Sequence, residues 1–255
     1  MKKVFVLFLI LAMAITAVSC SDKNENTDDA LQTVPSQTEV APTENITEAT
    51  DTPSESVMPE ETQDAEQPAE QSNILIAYFS RVGNTNWKEG VDATTSASLN
   101  VVDGEFAGNA ELLAQFAQEA TGGDLFLIQT VDTYPSDYRE TTDKAKVEQN
   151  ENARPALASH VENMDAYDTI ILIYPNWWGT LPQPLFTFLE EYDFSGKTIL
   201  PLCTHGGSAL GRSDDDIAKI CPNANMLKGL AVSGSDAASA RDRVENWIKD
   251  SGILG

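Results

Sequence analysis

The segment from residue 73 to residue 255 is predicted to be an α/β fold, a doubly wound parallel sheet of five strands with helices on both faces. Two observations predict it. Short runs rich in Ile, Leu, Val and Phe alternate with longer segments of helical period, the pattern of parallel strands joined by crossover helices. Most of those runs also lack polar alternation, which marks strands buried on both faces.

In chain order the strands are expected at residues 73–79, 125–129, 169–174, 198–203 and 226–232. The helices are expected at 109–121, 137–150, 184–191, 210–220 and 237–250. In the last helix Ala240, Val244, Trp247 and Ile248 repeat at helical spacing, so Trp247 is expected to face the sheet as a core residue. Residues 86–108 separate the first strand from the first helix and show little periodicity. A loop of that length is unusual and often functional; a cover over a ligand and a decorative excursion both fit it.

The first 20 residues read as an export signal. Lys2 and Lys3 supply the positive start, residues 4–17 the apolar run, and Ala17, Val18 and Ser19 the small-residue approach to Cys20. The run is shorter than the ~20 apolar residues a membrane span needs. A cysteine in this position resembles the bacterial lipobox, although Ala17 stands where that pattern usually carries leucine. The resemblance implies a lipid-modified Cys20 and an exported protein anchored on the extracytoplasmic face of the cell membrane. Residues 21–72 are filled with Thr, Ser, Glu, Asp, Gln, Asn and Pro and cannot bury enough apolar surface to offset ordering entropy. They are expected to form a disordered tether with a reach of about 40 Å.

The tether carries 14 acids and one Lys, and residues 73–255 carry 26 acids and 13 bases. Each part is therefore net −13, which argues against nucleic acid or an anionic lipid surface as a partner, since both need a positive face. Docking to a basic redox partner and acidity for solubility both fit the charge. Cys203 and Cys221 are expected to be separate thiols, because a helix between them sets them ~18 Å apart while bridged Cα atoms lie within about 7 Å. No Cys/His cluster has metal-ligand spacing.

Ligands of open α/β sheets bind outside the carboxyl ends of the strands, and three loops there carry suitable chemistry. The first strand runs into Ser80, Arg81, Val82, Gly83, Asn84 and Thr85, which offers hydroxyls, an amide and a permissive glycine to a phosphate. Gly108, Asn109 and Ala110 repeat part of that pattern at the helix start, where free N–H groups and the helix dipole favour an anion. A composite site is expected, with Ser80 and its neighbours on one side and Asn109 and Ala110 on the other. The third strand is followed by Pro175, Asn176, Trp177, Trp178 and Gly179. Adjacent tryptophans in a loop cannot both enter one core, so at least one presents a flat face to solvent or ligand. The fourth strand is followed by Thr204, His205, Gly206, Gly207 and Ser208, whose glycines let backbone approach a ligand closely. His205 either bonds a ring carbonyl or satisfies its own loop.

With these three loops in order, residues 73–255 resemble the flavodoxin family, and within it the flavodoxin-like proteins marked by Tyr-Pro-x-Trp-Trp-Gly and Thr-His-Gly-Gly-Ser stretches. The resemblance implies strand order 2-1-3-4-5 and FMN as cofactor. Ser80, Val82, Gly83, Asn84 and Thr85 would cradle its phosphate. Asn176, Trp177 and Trp178, with Pro175 and Gly179, would line the isoalloxazine, and Thr204 to Ser208 would close the other side. No hydrolase constellation accompanies them, and no side chain is assigned a catalytic role; the flavin would carry the chemistry. Three functions follow: an electron carrier with an unidentified redox partner, an FMN-dependent reductase of quinones or other small acceptors using NADH or NADPH, and a non-redox binding module of the same fold.

Overall fold

A computed structural model describes residues 73–89, 96–102 and 105–255. The expected signal, the tether and Cys20 lie outside the described residues.

Eight strands and five helices make up this part: β1 (Ile74–Tyr78), β2 (Leu99–Val102), β3 (Glu105–Gly108), α1 (Asn109–Thr121), β4 (Asp124–Leu127), α2 (Tyr138–Asn150), β5 (Thr169–Pro175), α3 (Gln183–Glu191), β6 (Thr198–His205), α4 (Ser213–Ile220), β7 (Asn225–Met226), β8 (Leu230–Ser233) and α5 (Arg241–Ser251). The main sheet is parallel and runs β4-β1-β5-β6, with β7 and β8 both on the outer edge of β6. In the numbering of the five expected strands this is the order 2-1-3-4-5.

The strand pattern sets the layers. Alternate residues of a strand point to opposite faces. Ile74, Ile76, Ile171, Ile173, Leu200 and Leu202 pack on Leu113, Ala114 and Ala117 of α1 and on Val244 and Ile248 of α5. Leu75, Ala77, Ile170, Leu172 and Tyr174 face the other way, against Leu185, Phe188 and Leu189 of α3 and Ile217 of α4. All seven residues of β5 are buried, as a central strand demands, whereas the edge strand β4 leaves Leu125 38% exposed.

Four details differ from the expectation. The fifth strand is broken: Asn225 and Met226 pair with the start of β6 and Leu230 to Ser233 with its end. Gly229, between the two pieces, lies so close to Leu210 and Asp214 that a Cβ there would sit 3.1–3.2 Å from their side chains. The fourth helix begins at Ser213 rather than 210, because Gly211 (φ 62°) turns the chain first. The fifth begins at Arg241 after a 3-10 turn, Gly234–Ser239. Residues 86–108 hold the antiparallel hairpin β2–β3, with Val102 opposite Glu105. These strands are only four residues each, too short for alternation to stand out in the sequence.

Cys203 and Cys221 are free and buried, as expected, and burial pushes their thiols up to about 12 and about 11. Trp247 is half-buried rather than a core residue: it packs against the edge of the α1–α5 core and its indole Nε1 donates to the Lys228 carbonyl at 2.9 Å. Helix α2 starts where Asp137 caps it, accepting from the N–H groups of Arg139 and Glu140.

Candidate functional site

The two tryptophans after β5 play different parts. Trp177 and Thr180 face each other as a two-residue hairpin closed by backbone bonds of 2.9 and 3.3 Å. The residues between them, Trp178 and Gly179, have φ of 54° and 82°. Positive φ at both central positions defines a type I′ turn. Glycine adopts that conformation freely, but for a bulky L residue it costs roughly 1–2 kcal/mol. The turn therefore holds Trp178 where its backbone resists, and strain of this kind concentrates at functional sites.

Trp177 turns inward, edge-on to Phe79 (5.4 Å, 90°) and Tyr134 (5.1 Å, 78°). Trp178 turns outward along α2 and stays 49% exposed. Its Nε1 donates to the Thr142 carbonyl at 3.0 Å and the Lys146 ammonium lies 4.9 Å from its ring centre. One tryptophan is thus part of the core wall and the other presents a face, as adjacency in a loop requires.

Asn176 fixes the turn from within. Its Oδ1 accepts from Gly179 N–H at 2.9 Å, its Nδ2 donates to the Ala209 carbonyl at 2.9 Å, and its backbone N–H donates to Thr204 at 2.7 Å. Gly211 permits this docking, since a Cβ there would overlap the Gly179 carbonyl and reach 3.0 Å from Asn176 Nδ2.

A cavity of about 490 Å³ opens between these loops. Of the expected residues, Asn176, Trp177, Trp178, Gly179, Gly206 and Ser208 line it. A further wall, beside Trp178, is one face of α2, where Tyr138, Thr141, Thr142 and Ala145 recur at helical spacing. Ser96, Ala97 and Ser98 from the insertion close a third side, and Arg81 lies in the wall. Arg81 donates to the carbonyls of Pro135 and Ser136 and lies over the Trp87 ring. Burial draws its guanidinium down to about 10, against the pull of Asp137; it stays protonated at neutral pH. Among the described residues it is the one charged side chain in a lining that carries no carboxylate.

The remaining expected residues lie behind or beside the cavity. Asn84 is fully buried and spends its amide inside the protein, donating to Ser80 and Ile128 carbonyls and accepting from Thr130. Ser80 Oγ accepts from Val82 N–H at 3.1 Å, Gly83 is exposed, and Thr85 and Pro175 are buried. Ser80 does meet the start of α1, so closely that a Cβ on Gly108 would overlap its hydroxyl. One N–H of the first turn of α1 is taken up within the chain. Asn109 N–H donates to the Ser98 carbonyl at 2.9 Å, and both Asn109 and Ala110 are buried. Asn109 Oδ1 has no partner among the described residues. His205 satisfies its own loop through Nδ1, which accepts from Gly207 N–H at 2.9 Å, and Thr204 Oγ1 donates to Ala97.

Sequence reasoning missed the α2 face and the Ser96 to Ser98 segment. The first was legible as a helical stripe of small and hydroxyl side chains; the second depends on how the insertion returns across the strand ends, for which no local signal exists.

No curated protein matches the chain. Among solved structures, a candidate flavoprotein from Bacteroides eggerthii DSM 20697 is 28% identical, over 71% of this chain and 98% of that chain, with a TM-score of 0.54. A second, from Bacteroides uniformis ATCC 8492, is also 28% identical, over 70% and 99%, with a TM-score of 0.54. The family model described as Flavodoxin matches residues 98–251, more than half of the chain, with the parallel sheet order and the carboxyl-end site already in place: the chain belongs to the flavodoxin family.

Proposed function

We propose that this protein is an FMN-binding electron carrier, exported and held at the extracytoplasmic face of the membrane through Cys20. The observation that carries the reading is the strained Trp178-Gly179 turn, which sets a half-exposed indole over a cavity whose lining holds one cation and no carboxylate. The residues present fit a flat, anionic heteroaromatic group. Trp178 and the edge of Trp177 wall a planar ring, and Gly206 lets backbone approach it. Arg81 and the Ser96, Ser98 and Ser208 hydroxyls favour an anionic, acceptor-rich ligand in a domain that is otherwise acidic. FMN, when bound, supplies the electron transfer; the chain binds it, orients it and limits water around it.

The deciding experiment is the visible spectrum of the purified protein after adding FMN and removing the excess. Flavin bands near 1:1, with NADH or NADPH oxidation in the presence of a quinone no faster than background, are the expected result. Rapid steady oxidation would make it a reductase, and a colourless protein would make it a binding module without flavin. The anchor is tested separately. Cells fed labelled fatty acid should label the wild-type protein and not Cys20→Ser; equal labelling rejects Cys20 as the attachment point.

The turn gives a second prediction. Trp178→Asn places a residue suited to positive φ in the turn and loses indole contacts worth about as much as the strain relieved, on the order of 1 kcal/mol. The melting temperature should stay within about 3 °C of wild type while FMN affinity falls tenfold or more. Unchanged FMN affinity in this variant would contradict the role given to Trp178.

A further inference from the structure

The insertion does more than connect β1 to α1. Ser96, Ala97 and Ser98 cross the carboxyl ends of the sheet and are hydrogen-bonded to three parts of the fold, the loop after β5, β6 and α1, while Asn100 just beyond them reaches a fourth. Trp177 Nε1 donates to Ser98 Oγ at 2.9 Å, and Thr204 Oγ1 donates to the Ala97 carbonyl at 2.7 Å. Asn109 holds both ends, its backbone N–H on the Ser98 carbonyl at 2.9 Å and its Nδ2 on the Ser96 carbonyl at 3.2 Å. Asn100 Nδ2 donates to the Gly234 carbonyl at 3.3 Å.

Two glycines make room for this crossing. A Cβ on Gly234 would overlap the Ser96 carbonyl oxygen and come within 2.6 Å of Asn109 Nδ2, and a Cβ on Gly206 would overlap Ser96 Oγ. Gly206 has an ordinary ligand-facing explanation, since it lines the cavity. Gly234 does not line it, and what its missing side chain accommodates is this segment.

Ser98 is 3% exposed yet lines the cavity. A serine hydroxyl has one proton and two lone pairs. The Trp177 indole occupies one lone pair and thereby fixes the oxygen, while the hydroxyl proton goes to no group among the described residues. A buried donor left unused costs free energy, and the open side of Ser98 is the cavity.

We propose that Ser98 is a ligand-contacting residue that donates its hydroxyl proton to an acceptor on the bound ring, and that Gly234 is a positioning residue that lets the Ser96 to Ser98 segment seat. The proposal rests on the flavin reading above and deepens it: the ligand must carry a hydrogen-bond acceptor on the ring edge that meets the Trp177 wall. Because Ser98 is held by Trp177, the contact is to the ring and not to the phosphate. The Ser96 to Ser98 segment is therefore one wall of the site, and its docking and ligand binding are coupled.

The test is a titration of wild type, Ser98→Ala, Ser98→Thr and Gly234→Ala with FMN and, separately, with riboflavin. Ser98→Ala should weaken both ligands by the same factor, about tenfold, as loss of one net hydrogen bond implies. Ser98→Thr, which keeps the hydroxyl, should bind within about threefold of wild type. Gly234→Ala should lose at least as much affinity as Ser98→Ala; if it does not fold, the Ser98 pair decides alone. Coupling is read independently by amide exchange: FMN should slow exchange at the Asn109 N–H in wild type more than in Ser98→Ala. Wild-type affinity in Ser98→Ala overturns the proposal while leaving the flavin reading intact, and a loss for FMN but not riboflavin overturns the ring contact. A wild type that binds neither ligand removes the flavin reading and this proposal with it.

Discussion

The carboxyl edge of this domain is organised around the side chain of Asn176. Its carbonyl oxygen holds the Gly179 N–H, its amide nitrogen reaches the Ala209 carbonyl, and its backbone N–H continues the β5–β6 ladder to Thr204. One residue thus joins the tryptophan turn to the glycine loop of the neighbouring strand. The type I′ turn that holds Trp178 at positive φ is also tied by the two backbone bonds between Trp177 and Thr180, by the Arg212 N–H to the Gly179 carbonyl at 2.9 Å, by Gln149 Nε2 to the Trp178 carbonyl at 3.2 Å and by the Trp178 indole to Thr142. A single net hydrogen bond is worth about 1 kcal/mol, similar to the strain it opposes, so the turn is held only because several such bonds act together.

From that junction the rest of the site follows by packing. Trp177 is pinned between Phe79 and Tyr134, and its indole N–H anchors the insertion through Ser98. Trp178 is left to face the cavity because the core position is already filled. Behind the turn, Tyr134 donates to Glu148 on α2 at 2.8 Å, and burial pushes the Glu148 carboxyl upward. That bond ties the core aromatic cluster to α2, whose face walls the cavity beside Trp178. Cavity, turn and insertion are therefore mechanically continuous, which is what a site that must hold a planar ring in one orientation requires.

Much of this was legible in the residues themselves. Strands such as β5 and β6 announce themselves as uninterrupted apolar runs, and the order of the sheet came with the family resemblance. Trp177 and Trp178 were legible as cavity residues because adjacent aromatics in a loop cannot both enter one core, and Gly206 because paired glycines at a strand end let backbone approach a ligand. What was not legible depended on long-range geometry. Asn84 carries the look of a phosphate ligand, yet its amide is consumed by Ile128 and Thr130, more than 40 residues away in the chain. Asn109 stands at a helix start that would suit an anion, but the returning insertion caps it with the Ser98 carbonyl. The break in the fifth strand at Gly229 reflects close packing against α4, which no strand propensity encodes.

The measurement that bears most directly on the central claim is a crystal structure of the protein grown with FMN. The flavin ring should lie in the cavity between Trp178 and Gly206, with the face of α2 along one side and Ser98 at its edge. A ring bound elsewhere, such as beside Trp247 against α5, would show that the strained turn and its cavity serve another ligand.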